Sequence, residues 1–159
     1  RTAGDDFIDD IVEHMRKQHN MYVGERTAEM IKIEVGSALT QLDNPPDEYA
    51  VHGRDLLTGI PKEIKVNYSE IAHCLDKSIN KIETAVLQAL EQTPPELAAD
   101  IYRTGIYLTG GGALRRGLDK RLHSKTQLPI HVADDPLRAV ARGTGIALKN
   151  FDKFPFLIK

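Results

Sequence analysis

The feature that most restricts the fold is a run of three glycines at residues 110–112, between an apolar segment and one with helical spacing. Residues 105–109 predict a buried strand, and residues 128–133 predict another. Residues 113–125 between them predict a helix with Leu114, Leu118 and Leu122 on its inner side. Strand, helix and strand within about thirty residues form a parallel crossover unit, which is right-handed. The chain therefore belongs to the α/β class.

The glycines lie where a parallel strand meets a helix, at the edge of the sheet where α/β proteins bind ligands. Without Cβ atoms, the backbone N–H groups there can face a phosphate or lie flat beneath a nucleotide. A strand-to-helix turn with no ligand explains the same residues equally well. The segment is neither a Walker A loop nor a G-x-G-x-x-G motif, since Ala113 and Leu114 follow the glycines.

Helical spacing recurs elsewhere in the chain. Phe7, Ile11 and Met15 predict a first helix, and Thr27 is a candidate N-cap for a second helix that ends near Gly36. The apolar positions of residues 69–92 predict a long amphipathic helix of about 36 Å. Residues 93–96 have the pattern of a capping box that starts a new helix, and a last helix is predicted from residue 135 to 149.

Two segments of alternating character, residues 49–54 and 63–68, lie between the second helix and the long one. In the second of them, Ile64, Val66 and Tyr68 share one face. We expect the two segments to pair as antiparallel strands.

Glu29 and Lys32 are a second candidate binding feature. A step of three residues places both side chains on one helix face, where they could flank a ribose or a base. The more frequent role of such a pair is a solvated surface ion pair, and the residues alone favour that interpretation.

Composition excludes several function classes. The formal charge is -2 and no block of basic residues occurs, which argues against nucleic-acid binding.

The single cysteine, Cys74, follows His73 on a helix, where the two side chains diverge, so a buried structural thiol is favoured over a nucleophile. The six histidines show no i, i+4 spacing, so no zinc site is expected. A reducing, cytoplasmic setting and no membrane-spanning segment are expected.

Several longer segments, in chain order, resemble the second half of the MreB family of bacterial actin homologues. They include GDDFIDDIV, YVGERTAEMIKIEVGSA, GIYLTGGGALRRGLDKRL and DDPLRAVARGTGIAL, and the resemblance runs from Gly4 to about Lys149. It implies the actin/Hsp70-like ATPase fold, domain II only. Residues 1–22 and 93–159 would form a partial core subdomain IIA, and residues 23–92 an inserted α+β subdomain IIB.

The resemblance also implies a site for ATP. Glu29, Met30, Ile31 and Lys32 match the family segment that contacts the adenosine group, and the turn on the other side of that pocket matches Gly111, Gly112, Ala113 and Leu114. Arg115 departs from the family, which usually has Leu at that position. The family's phosphate-binding loops and Mg²⁺ ligands do not occur in this sequence, so we expect the chain alone to lack ATPase activity and to bind nucleotide weakly.

The function implied is that of an ATP-binding cytoskeletal protein, cytoplasmic and membrane-associated, that forms filaments and maintains rod shape by guiding cell-wall synthesis. The implied partners are further copies of the protein, a RodZ-type membrane protein and the cell-wall elongation machinery. Contact with the inner membrane would lie in a half that this sequence does not include. Two alternatives remain open: half of a chaperone-type or sugar-kinase-like ATPase, since fold does not settle function, and a nucleotide-free interaction module.

Overall fold

The computed structural model describes residues 4–150. Helix α1 (Gly4–His19) buries Phe7, Ile11 and Met15, which recur every fourth residue, and has acidic residues in its first turn and basic ones in its last, as the helix dipole favours. The remaining elements are β1 (Met21–Tyr22), α2 (Glu25–Glu34), β2 (Tyr49–Asp55), β3 (Pro61–Val66), α3 (Tyr68–Glu91), α4 (Pro95–Thr104), β4 (Ile106–Leu108), a 3-10 turn (Gly111–Leu114), α5 (Leu118–Thr126), β5 (Ile130–Val132) and α6 (Ala139–Lys149).

The strands form two small sheets. β1, β2 and β3 make an antiparallel sheet in that order, in which Tyr49 lies opposite Val66 and Val51 opposite Ile64. β4 and β5 pair in parallel, with α5 as the connection between them. Both the antiparallel pair and the parallel crossover were predicted, and both predictions are confirmed.

One core joins α1, α2, the three-stranded sheet, α3 and α5. Its side chains are apolar residues spaced along one face of each element. The largest fully buried ones include Ile11, Met15, Met21, Ile31, Ile71, Leu75, Ile79 and Leu122. This core runs across residue 22, the predicted border between IIA and IIB, and the division into subdomains stays a prediction.

Several predicted element boundaries were wrong. Gly24, not Thr27, is the N-cap of α2. The capping box is not formed, because the Thr93 hydroxyl donates to the Ala89 carbonyl of the preceding helix (2.8 Å). The predicted helix at 113–125 is divided. The 3-10 turn ends at Leu114, Gly117 with φ of +76° is the N-cap of α5, and only α5 is α-helical. Leu114 is therefore 57% exposed rather than turned inward. The last helix begins at Ala139, not at residue 135.

No helix among residues 4–150 combines the length and the apolar character needed to cross a bilayer. The sequence also predicts an apolar tail, interrupted by charged residues, that docks on another part of the protein; its apolar residues Phe151, Phe154, Phe156, Leu157 and Ile158 lie outside the described residues.

Candidate functional site

An open cavity of about 720 Å³ lies between α2, the start of α1 and the glycine turn. Its walls come from segments about eighty residues apart in the chain. The lining residues are Gly4, Phe7, Glu29, Lys32, Ile33, Gly36, Ile82, Gly111, Gly112, Leu114, Arg115, Arg116 and Leu137.

The α2 wall carries a charged pair. The Lys32 ammonium donates to the Glu29 carboxylate, as expected for a three-residue helical step. The Lys32 side chain is only 12% exposed, whereas that of Glu29 is 41% exposed. Lys32 thus places a largely buried cation in the wall, and Glu29 places a carboxylate nearer to solvent.

The glycine turn forms the facing wall. Gly110 has φ of +80°, a conformation that side-chain-bearing residues rarely adopt, and its N–H donates to the Pro136 carbonyl (2.7 Å). A Cβ atom on Gly112 would meet no heavy atom within 4 Å. The backbone at Gly112 therefore faces open space, which a flat ligand can approach closely.

Hydrogen bonds between the end of α2 and Arg116 hold the two walls together. The Ala38 N–H donates to the Arg116 carbonyl (2.8 Å), and Arg116 Nη1 donates to the Ile33 carbonyl (3.0 Å). The Ser37 hydroxyl lies 3.4 Å from the same Arg116 oxygen. Sequence reasoning missed this connection, because no local pattern links residues eighty positions apart.

Of the eight residues matched to the family's nucleotide contacts, Glu29, Lys32, Gly111, Gly112 and Leu114 line the cavity. Ile31 is fully buried in the core and Ala113 is nearly so, which places both behind the walls. Met30 lines a different depression, beside Tyr49 and His52. Contact of any of the eight with a nucleotide stays a prediction.

Arg115 adds a cation that the family comparison does not predict. Its guanidinium lies over the Phe7 ring, 4.4 Å from the ring centre, a cation–π arrangement. Its Nε and Nη1 atoms are buried without a hydrogen-bond partner among the described residues. Burial lowers the pKa of Arg115 to about 10, and the Glu29 carboxylate opposes the shift. Two unused donors therefore lie beside the cavity.

The described residues that line the cavity do not form a magnesium site. Among them only Glu29 has a carboxylate, and that carboxylate is paired with the Lys32 ammonium. Mg²⁺ requires several oxygen ligands in octahedral geometry.

Cys74 is not a nucleophile. Its thiol donates to the Asp10 carbonyl (3.3 Å). Burial, reinforced by the Asp10 and Glu70 carboxylates, raises the pKa of Cys74 to about 12. The thiol is therefore protonated at neutral pH, as expected for a structural residue.

Comparisons with known proteins agree on one family. The family described as MreB/Mbl protein matches residues 1–155. The cell shape-determining protein Mbl of Bacillus subtilis (strain 168) is 43% identical over 155 residues, which are 98% of this chain and 46% of that protein. The cell shape-determining protein MreB of Escherichia coli (strain K12) is 46% identical over 155 residues, 96% of this chain and 43% of that protein. The chain thus spans less than half the length of these relatives.

A solved structure shows the same fold. The crystal structure of MreB5 of Spiroplasma citri bound to ADP superposes with a TM-score of 0.90 at 40% identity, over 99% of this chain and 47% of that one. The fold is therefore that of the actin-like ATPases. The Bacillus subtilis and Escherichia coli relatives are cell shape-determining proteins, not chaperones or sugar kinases. The chain belongs to the MreB/Mbl protein family.

Proposed function

We propose that the cavity between α2 and the glycine turn holds the adenosine part of an adenine nucleotide, ADP or ATP. The observation that carries the proposal is the position of Glu29 and Lys32 opposite the exposed backbone of Gly111 and Gly112. A volume of about 720 Å³ lies within the usual range for small-molecule sites. The ADP-bound state of the MreB5 structure supports the choice of ligand.

Each wall suits one part of such a ligand. Glycine backbone without a Cβ lets a planar base lie close to the chain, and Phe7, Ile33 and Leu137 offer apolar contact. The Glu29 carboxylate can accept hydrogen bonds from ribose hydroxyls. Lys32 and the free donors of Arg115 supply positive charge that favours an anionic ligand.

We propose further that the nucleotide controls assembly of an actin-like filament. Binding between two domains biases them toward closure, and closure alters the surfaces that subunits present to each other. Head-to-tail association of this kind produces filaments. Family membership supports self-association and a role in cell shape. We propose in addition that the protein contacts a RodZ-type membrane partner and the cell-wall elongation machinery, and that it is cytoplasmic and membrane-associated.

ATP hydrolysis by this chain alone is not part of the proposal. Phosphoryl transfer depends on metal ions and positioned donors around the γ-phosphate, and the lining residues supply no magnesium ligand set. We expect the chain to bind ADP weakly and to show no turnover of ATP. Steady release of phosphate by the purified chain, lost in Lys32→Ala, would contradict this expectation.

The binding proposal is tested by filling the cavity from the glycine side. Gly112 has open space at its Cβ position, so Gly112→Val blocks the ligand without a clash inside the protein. We expect its affinity for ADP, measured by calorimetric titration, to fall at least about tenfold, a loss of about 1.4 kcal/mol.

Gly143→Val is the matched control. Gly143 also has no heavy atom within 4 Å of a Cβ position, but it lies in α6 and does not line the cavity. ADP should bind to this variant as it does to the wild type. Equal affinities of the Gly112→Val and Gly143→Val variants would reject the proposed site.

A further inference from the structure

Three potential metal ligands meet where the end of α1 packs against the start of α3. His14 Nε2 lies 2.7 Å from Glu70 Oε1, and His19 Nε2 contacts the same oxygen. The three ligand atoms lie within 4.8 Å of one another. This cluster is separate from the cavity described above, because none of its residues lines that cavity.

The fold fixes the position of each ligand. His14 lies within α1, and His19 is its last residue. Glu70 is in the first turn of α3, where its N–H donates to the Asn67 side chain that caps the helix (2.9 Å). Lys62 Nζ donates to the His19 carbonyl (2.9 Å), which anchors the end of α1 to β3. The three side chains therefore project from ordered backbone rather than from a loop.

Burial suits a site with an open coordination position. The side chains of His14, His19 and Glu70 are 17%, 25% and 24% exposed, so solvent reaches the cluster without surrounding it.

We propose that His14, His19 and Glu70 form a zinc-binding site with three protein ligands and one position open to water. Two imidazole nitrogens and one carboxylate oxygen are a donor set that Zn²⁺ uses in proteins, whereas Mg²⁺ and Ca²⁺ prefer oxygen ligands only. Tetrahedral Zn²⁺ with bonds of about 2.0–2.1 Å places its ligand atoms about 3.3 Å apart. The His14–Glu70 separation of 2.7 Å must widen by roughly half an ångström, a small side-chain adjustment.

The site would cross-link α1 to α3. In the metal-free chain both histidine Nε2 atoms hydrogen-bond to Glu70 Oε1. In the zinc-bound chain each neutral imidazole would carry its proton on Nδ1, which leaves both Nε2 lone pairs and the Glu70 carboxylate to bind the metal. Because binding requires the folded arrangement, Zn²⁺ should raise the thermal stability of the chain. Nothing in this proposal depends on nucleotide binding.

The test uses the chain without an affinity tag and two probes, Zn²⁺ and Co²⁺. We expect calorimetry to give one Zn²⁺ per chain, and Co²⁺ to give the visible absorption bands of a tetrahedral complex, which excess Zn²⁺ removes. His19→Gln and Glu70→Gln should each weaken Zn²⁺ binding at least about tenfold, because each removes a ligand. Zn²⁺ should raise the melting temperature of the wild type but not that of Glu70→Gln.

His52→Gln is the matched control. His52 also lies beside a carboxylate, with Nε2 2.6 Å from Glu63 Oε2, but that pair is exposed on the sheet and forms no three-ligand group in the described part of the chain. This variant should bind Zn²⁺ as the wild type does. His19 is at the end of α1, so its replacement leaves the helix interior unchanged, and circular dichroism in EDTA verifies folding of each variant.

Two results would overturn the proposal. One is a wild-type chain that binds no Zn²⁺ at millimolar concentration, which would make the cluster a hydrogen-bonded helix contact only. The other is equal Zn²⁺ affinity of the His19→Gln, Glu70→Gln and His52→Gln variants, which would place the metal elsewhere on the chain.

Discussion

Arg115 and Arg121 are six residues apart in the chain, but their guanidinium groups differ in how fully they are hydrogen-bonded. Arg121 Nε donates to Glu83 (2.6 Å), its Nη1 donates to the Ala38 carbonyl (3.0 Å), and its Nη2 donates to Asn80 (3.0 Å). Arg115 has two buried donors with no partner within residues 4–150. The first group stabilises the contact of α5 with α3, whereas the second costs stability until a ligand or water satisfies it.

We expect Arg115→Leu to stabilise the chain by about 1 kcal/mol. The substitution removes a desolvated charge and fills the same space with apolar atoms, and this gain exceeds the loss of the cation–π contact with Phe7. Urea-induced unfolding measures the difference. Arg103→Leu is the control, since that side chain is 78% exposed and pairs with the exposed Asp100, and it should change stability by less than about 0.5 kcal/mol. A destabilised Arg115→Leu variant would mean that Arg115 has partners in solution.

Arg121→Met should destabilise the chain by about 3–5 kcal/mol, because the Glu83 side chain is only 5% exposed and would be left as an unpaired charge. The double variant Arg121→Met/Glu83→Leu should recover most of the loss, since neither charge then remains buried. Chemical denaturation of the two variants measures the free energy of unfolding that is lost and recovered. A double variant no more stable than the single one would show that Arg121 acts through packing rather than through its charge.

At the scale of elements, the sequence predicted the parts that depend on regular spacing. Apolar positions three and four residues apart identify α1 and α3, and the alternation around Ile64 identifies β3. Predictions based on one residue at an element boundary were less accurate. Thr93 has the residue type of a cap, but its hydroxyl reaches the preceding helix instead. The two-residue strand β1 exists only through pairing with β2, so no local pattern marks it.

Gly117 shows why the helix predicted at 113–125 is divided. Its φ is +76°, and a Cβ atom there would lie 2.8 Å from Leu39 Cδ1. Gly59 has the same φ, but a Cβ atom there would meet no heavy atom within 4 Å, so Gly59→Ala measures the cost of the positive φ alone. We expect Gly59→Ala to lower the free energy of unfolding by about 1 kcal/mol. Gly117→Ala should lower it by about 1–3 kcal/mol more, because its Cβ atom also meets Leu39. If thermal unfolding shows that Gly59→Ala and Gly117→Ala lose equal stability, Leu39 moves aside at no cost.

At the scale of the whole molecule, the candidate nucleotide site exists because distant segments meet. The two walls are joined by bonds such as that from Ala38 to Arg116, about eighty residues apart, and local sequence patterns carry no information on such a pairing. From the residues alone, Glu29 and Lys32 were predicted to form a surface ion pair. Only the family resemblance predicted that they lie across a pocket from the glycines. The His14, His19 and Glu70 cluster was missed for the same reason, since Glu70 is 51 residues beyond His19.

The central claim is that an adenine nucleotide lies between α2 and the glycine turn, and amide chemical shifts of the ¹⁵N-labelled chain test it most directly. Titration with ADP should shift the amide signals of Gly111, Gly112, Glu29 and Lys32 together, with a single affinity. Uridine diphosphate, with the same phosphates but a smaller base, should shift them less. Shifts confined to other surfaces, such as the hairpin of β2 and β3, or no shifts at millimolar ADP, would contradict the account.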